Sequence, residues 1–227
     1  MARLLVVGAS RGIGLETVKA ALAAGHDVVA LARRAHAIPV TSPGLTRIDG
    51  DATDPETLAC AVHGVDAVIV TLGTGPSLKP VLLFSKATRH LVAAMRAAGV
   101  HRLIVVTGLG AGDSRGHGGF LYDRVFFPLF LERIYEDKDV QETMVRESGL
   151  EWTIVRPGLL TSGPASGRWQ ALVDPQSWRA GRISRADVAA FLIAELESGR
   201  FKGQTPLLVT CATPSRRRAR GSRRSST

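Results

Sequence analysis

Residues 4–14 read Leu-Leu-Val-Val-Gly-Ala-Ser-Arg-Gly-Ile-Gly, four apolar strand formers running into glycines and then into a helical pattern. A strand that enters a tight glycine turn and leaves as a helix brings backbone N–H groups to the helix N-terminus, where they can meet a diphosphate. Gly8 permits the turn, Gly12 removes a Cβ that would obstruct the phosphates, and Gly14 lets the helix pack closely on the strand. Gly8, Ala9, Ser10, Arg11, Gly12, Ile13 and Gly14 therefore form the first candidate binding set, and a nucleotide cofactor is the ligand they imply.

Strand-like runs alternate with helical ones along the rest of the chain, which predicts an α/β fold with a doubly wound parallel sheet. Strands are expected at 4–7, 28–31, 46–48, 67–70, 102–106, 152–155 and 207–209. A first helix over 12–24 ends at Gly25, and Asp54 followed by Pro55 marks another helix start. A loop at 73–77 precedes a long helix to about residue 98, and Ser184 with Asp187 resembles a capping box. Right-handed crossovers would place a ligand crevice at the carboxyl ends of the first and fourth strands. No domain boundary precedes the tail, so residues 1–213 are expected to form one domain with a small substrate-binding region.

The net charge of +9 is concentrated at the end of the chain. Residues 214–227 hold six arginines and no acid, and without them the body carries only +3. The tail lacks apolar periodicity and is expected to be disordered. It has no aromatic residue for base stacking, so a solvated extension is preferred to nonspecific anion binding, and no specific nucleic-acid partner is expected. Cys60 and Cys211 match no metal spacing and are read as free thiols in a reducing cytoplasm, with no metal site. No segment approaches the roughly 20 apolar residues of a membrane span.

The second strand ends in Ala32-Arg33-Arg34, where an NAD site would place an acid for the ribose hydroxyls. Arg33 and Arg34, with Arg11 nearby, would instead grip a 2′-phosphate through charge-assisted bonds, which favours NADPH (NADP) over NADH. These motifs together resemble the atypical branch of the short-chain dehydrogenase/reductase superfamily, which includes NmrA-like proteins and the biliverdin-IX-beta/flavin reductases. The glycine turn is similar to that superfamily's Gly-x-x-x-Gly-x-Gly loop. Gly50-Asp51-Ala52-Thr53-Asp54, the stretch 150–158 (Leu-Glu-Trp-Thr-Ile-Val-Arg-Pro-Gly) and 183–189 (Ile-Ser-Arg-Ala-Asp-Val-Ala) resemble its later motifs. The resemblance covers about residues 3–209 and implies a Rossmann fold. It also implies that Asp51 meets the adenine, that Ala52 belongs to the cofactor-binding set, that Thr71, Leu72 and Gly73 line the cofactor, and that Thr107 stands near the nicotinamide. Pro157, Gly158 and Leu159 would hold the carboxamide side.

The Tyr-x-x-x-Lys motif of the tyrosine-dependent members is missing: Tyr122 precedes Phe126 by four residues, and Tyr135 precedes Asp139. Lys138 and Glu142 instead resemble the Lys-x-x-x-Glu arrangement of the atypical branch, which assigns Lys138 to the nicotinamide ribose. Tyr135 lies three residues before Lys138 on the same expected helix face, either as a compensating proton donor or as an ordinary packing residue. Lys138, Thr107 and Tyr135 are thus the catalytic candidates. Residues 116–131 contain four of the seven phenylalanines and read either as a lid or wall over a flat apolar substrate or as an apolar helix buried in the core or in a dimer contact. His117 is a further proton-donor candidate, and Trp169 and Trp178 could close the pocket or pack in the core.

The sequence therefore predicts a cytoplasmic NADPH-dependent oxidoreductase, monomer or homodimer, that passes hydride to a small planar apolar acceptor such as a flavin, quinone or conjugated carbonyl. Acceptors that can take their proton from water suit a site without a positioned acid. The competing class is a non-catalytic dinucleotide-binding redox sensor or scaffold. An epimerase or dehydratase with tightly held NAD is disfavoured by Arg33, Arg34 and the absent tyrosine motif.

Overall fold

The structure is a computed structural model, and it describes residues 1–74, 81–111 and 132–211. The segment 116–131 with His117 and Tyr122, the loop residues 75–77 and the tail 214–227 lie outside the described residues.

Strand β1 (Arg3–Val7) leads into helix α1 (Gly12–Ala23), and strands β2 (Asp27–Ala32) and β3 (Leu45–Asp49) follow. Then come α2 (Pro55–Val62), β4 (Ala67–Val70), α3 (Leu83–Ala97), β5 (Arg102–Val106) and α4 (Glu132–Arg146). The chain continues through β6 (Glu151–Pro157), β7 (Leu159–Thr161), β8 (Trp169–Leu172), β9 (Arg182–Ser184), α5 (Arg185–Ser198) and β10 (Leu207–Thr210).

Among the described residues the main sheet has the order β3-β2-β1-β4-β5-β6-β10-β8, a doubly wound Rossmann arrangement. Every pairing is parallel except β10 with β8. The order reverses at β1, which pairs with β2 on one side and β4 on the other, so a crevice opens at their carboxyl ends.

The inner strands are apolar on both faces because helices cover both. Leu4 and Val6 point into one core layer with Val18 of α1 and Phe191 of α5. Leu5 and Val7 point into the other with Leu58 of α2, Leu91 of α3 and Val145 of α4. A shift of one residue in β1 would exchange these two layers.

The expected strands form with slightly different ends, and β7, β8 and β9 are additional. The β7–β9 pair forms a separate parallel ribbon. Its three-residue strands leave too short a sequence pattern to recognise. Asp54 caps α2 through the amides of Glu56 (3.4 Å) and Thr57 (3.1 Å), with Pro55 at the first helical position. Ser184 caps α5 by accepting from the Asp187 amide at 3.0 Å. The Asp187 carboxylate also accepts from the Ser166 and Gly167 amides at 2.7 and 2.9 Å, which ties the preceding loop to the helix.

Helix α3 has no local side-chain cap. Buried Asp137 of α4 supplies one from a distance, accepting from the amides of Phe84 (2.7 Å) and Ser85 (3.2 Å). That contact fixes α4, and with it Lys138, against the start of α3. Cys60 and Cys211 are exposed free thiols. No helix among the described residues is long and apolar enough to cross a membrane.

Candidate functional site

The turn after β1 has positive φ at Gly8 (90°) and Gly12 (60°), backbone that only glycine adopts without strain. The Gly8 and Ala9 amides both donate to Leu31 O, at 2.9 and 3.2 Å. Ala9 is fully buried. It anchors the turn to β2 and does not line the cleft. Gly12 and Ile13 open α1, and the first amides of a helix have no carbonyl a turn earlier to bind. Together with the Ser10 and Arg11 backbone they line the cleft mouth, at the positive end of the helix dipole.

Gly14 packs inward. A Cβ there would stand 2.1 Å from Gly8 O and 2.6 Å from Thr71 Oγ1. Gly14→Ala is therefore expected to cost about 2 kcal/mol or more in urea unfolding, because the obstructing atom is rigid backbone. Gly73→Ala, with no atom of the described residues within 4 Å of its Cβ, is expected to leave stability unchanged.

The cleft has a volume of about 690 Å³. Arg33, Asp51 and Ala52 stand at one end, Thr71, Leu72 and Gly73 along the β4 side, and Thr107, Lys138 and Pro157 at the other end. Asp51 accepts from the Thr53 amide and hydroxyl, both at 2.8 Å. Those two bonds hold its carboxyl below the usual carboxylate range, with a smaller contribution from the nearby Arg33 charge. Arg34 does not line the cleft. β2 ends at Ala32, so consecutive Arg33 and Arg34 diverge, and Arg34 instead opens the short turn Ala35–Ala37. The residues present fit a dinucleotide: an open glycine turn on a helix N-terminus, an elongated cleft, and cations at both ends.

The far end of the cleft rests on a buried polar network. Fully buried Glu142 receives two bonds from Arg156, Nε at 3.0 Å and Nη2 at 2.6 Å, and a third from Arg146 at 3.0 Å. It also accepts from Thr107 Oγ1 at 2.7 Å. Lys138 Nζ donates to the Thr107 carbonyl at 2.5 Å and lies 4.8 Å from the Phe84 ring centre. Burial lowers the Lys138 ammonium to about 8, while the Glu142 and Asp137 charges hold it up against a larger fall. Thr107 gives its hydroxyl proton to a carboxylate flanked by guanidinium groups, so it can offer a ligand only acceptor lone pairs.

Beyond Thr107 the cleft adjoins a second cavity of about 690 Å³, mostly apolar in its lining. Thr107, Pro157, Leu160 and Arg185 border both cavities. Gly158, Leu159 and Tyr135 line the second one rather than the dinucleotide cleft. Tyr135 and Lys138 thus leave the same helix toward adjoining cavities. The Tyr135 hydroxyl sits against Gly108, 2.7 Å from where a Cβ would stand. Gly158 and Gly181 let two backbones meet: the Leu159 amide donates to Gly181 O at 2.8 Å, and a Cβ on Gly158 would lie 2.5 Å from that oxygen.

Trp169 and Trp178 line neither cavity. Trp169 packs edge-on to Phe191 at 6.4 Å, and buried Trp178 lies under the Arg156 guanidinium at 5.2 Å while donating to Leu172 O. Arg182, Arg185 and Gly181 are site-lining residues that sequence reasoning missed. The Ile-Ser-Arg-Ala-Asp segment had marked the helix containing Arg185, but nothing local indicates that its first residue faces the glycine turn. Among the described residues no cluster of histidine, cysteine or carboxylate side chains could hold a metal ion.

A family model described as NAD(P)H-binding matches residues 8–198. A Bacillus subtilis protein described as the uncharacterized sugar epimerase YhfK is 34% identical over 163 residues, 70% of each chain. An NAD(P)H azoreductase from Xenophilus azovorans is 32% identical over 156 residues, 68% of this chain; the match spans 47% of the azoreductase's own length. Among solved structures, ChuY, an anaerobillin reductase from Escherichia coli O157:H7, superposes with a TM-score of 0.77 at 28% identity, over 93% of this chain and 98% of that one.

Proposed function

The chain belongs to the NAD(P)H-binding family, and from that premise we propose that it is an NADPH-dependent reductase that passes hydride to a flat conjugated acceptor. The observation that carries the proposal is the junction of the two cavities: a cleft suited to a dinucleotide ends at Thr107 and Pro157, where an apolar cavity of similar volume begins. A bound cofactor would supply hydride from its nicotinamide ring at that junction. The azoreductase and anaerobillin reductase relatives support an acceptor with an extended conjugated system.

The chain's own residues have separable tasks. The amides at Ser10–Ile13 hold the diphosphate, and Arg33 binds the adenosine 2′-phosphate. Lys138 presents its ammonium to the nicotinamide ribose, and the Thr107 oxygen accepts a hydrogen bond at the same end. Pro157, Leu159 and Leu160 exclude water on one side of the acceptor. Among the described residues Thr107 and Tyr135 are the hydroxyl side chains that line the second cavity; Thr107 donates to Glu142, and Tyr135 is the proton-donor candidate there. An acceptor such as a quinone or flavin can also take its proton from solvent.

The proposal is tested by titrating purified protein with NADPH and NADH and then following loss of nicotinamide absorbance with FMN, FAD, simple quinones and biliverdin. Oxidation of NADPH by at least one acceptor is expected. Tight NADPH binding with no turnover on any of them would favour a dinucleotide-binding sensor. Arg33→Ala is expected to weaken NADPH by about ten- to a hundredfold, the scale of one hydrogen-bonded charge pair, and to leave NADH nearly unaffected. Arg34→Ala should have the smaller effect, and equal losses for both dinucleotides would defeat the 2′-phosphate assignment.

A further inference from the structure

We propose that the acceptor of this reductase carries an anionic substituent (carboxylate, sulfonate or phosphate on the flat ring), which Arg182 and Arg185 hold at the second cavity. The inference rests on the reductase reading and specifies its substrate class. The cavity is walled by Leu109, Pro157, Leu159 and Leu160, yet two arginines, Arg182 and Arg185, are among its lining residues, and among the described residues no carboxylate residue lines it. Arg182 lies opposite Leu159 in the β7–β9 ribbon and is exposed. Arg185, half-buried, opens α5, with its Nη1 at 3.4 Å from Ser162 Oγ. Neither arginine forms an ion pair with a described residue. An uncompensated pair of cations beside apolar walls favours a ligand that brings negative charge to them and a hydrophobic ring to the leucines.

The two arginines are not equivalent. Arg185 also borders the dinucleotide cleft, 3.9 Å from where a Gly12 Cβ would stand, and so can share its charge with the diphosphate. Arg182 borders only the second cavity and isolates the acceptor's contribution. Guanidinium geometry suits two-point binding of a planar carboxylate or of a sulfonate edge.

The test uses the full chain with NADP saturating the dinucleotide cleft, and two fluorescent probes that share one aromatic skeleton. Anilinonaphthalene sulfonate carries the anion, and phenylnaphthylamine lacks it. The sulfonate probe is expected to bind about tenfold or more tightly than the neutral one. Arg182→Gln should remove most of that advantage while the neutral probe binds as before, and Arg182→Lys should restore part of it. Retained binding of the neutral probe also reports that the variant is folded. Equal affinity of wild-type protein for the two probes would overturn the proposal, as would parallel loss of both in Arg182→Gln. NADPH oxidation by the full acceptor set (FMN, FAD, simple quinones and biliverdin) is measured separately. If it is absent while the sulfonate preference and its Arg182 dependence persist, the reductase reading fails and the anion site stands.

Discussion

Replacing Arg156 by methionine is expected to lower the unfolding free energy by about 3–5 kcal/mol, the cost of leaving one partner of a buried ion pair without the other. Arg156 and Glu142 are both fully buried. Removing the guanidinium deletes two short bonds to Glu142 and the stacking on Trp178, and leaves the carboxylate with Arg146 and Thr107. The Arg146 side chain is 37% exposed, so its charge is partly screened and cannot compensate fully. The double variant Arg156→Met, Glu142→Leu should recover much of the loss, because replacing both members of a buried pair by apolar groups is often close to neutral. Urea unfolding of the two single variants and the double variant measures the coupling directly. A loss under about 1 kcal/mol in Arg156→Met would show that this pair does not hold β6 to α4. The double variant has a further use: it releases the Thr107 hydroxyl from Glu142, so any gain in hydrogen-bond donation to an acceptor appears there without the instability of the single variant.

The parts of this molecule that the sequence revealed are those encoded locally. The glycine turn, Asp54 with Pro55, and Ser184 with Asp187 each involve residues within a few positions of one another, and each takes the expected form. The inner strands β1, β4 and β5 were legible because burial on both faces leaves a nearly uninterrupted apolar run, whereas edge strand β3, with Thr46, Arg47 and Asp49 exposed, carries only a short apolar signal. What could not be read depends on contacts between distant segments. Asp137 caps α3 across a separation of more than fifty residues. Arg185 reaches the glycine turn because α5 packs beside α1, and no neighbour in sequence signals that. Trp169 and Trp178 could be placed only as bulky apolar side chains, and the structure assigns them to packing. The Lys138–Glu142 spacing was visible, but not that Glu142 turns inward to Arg156 of β6 while Lys138 turns to the cleft.

Lys138→Met is expected to change activity and stability in opposite directions. Wild-type kcat/KM should fall as pH rises through about 8, because the Lys138 ammonium loses its proton there rather than near the ordinary lysine value of 10.5. Below that point the charged form faces the nicotinamide end of the cleft. Removing it should reduce kcat/KM by about ten- to a hundredfold at neutral pH and abolish the alkaline limb. The sign for stability follows from proton binding. Between about 8 and 10.5 the unfolded chain holds more protons at this lysine than the folded one, so stability rises with pH through that window. Below about 8 the fold carries the whole cost of burying the charge, up to about 3 kcal/mol at neutral pH, less the value of the hydrogen bond to Thr107 O. Lys138→Met should therefore unfold at higher urea concentration than the wild type while turning over more slowly, with the stability gain vanishing toward high pH. A residue retained for packing would lose stability on replacement, whereas one held at a thermodynamic cost for its charge would gain it. Measured stability at neutral and alkaline pH distinguishes the two, and a variant that is both less stable and equally active would remove Lys138 from the site.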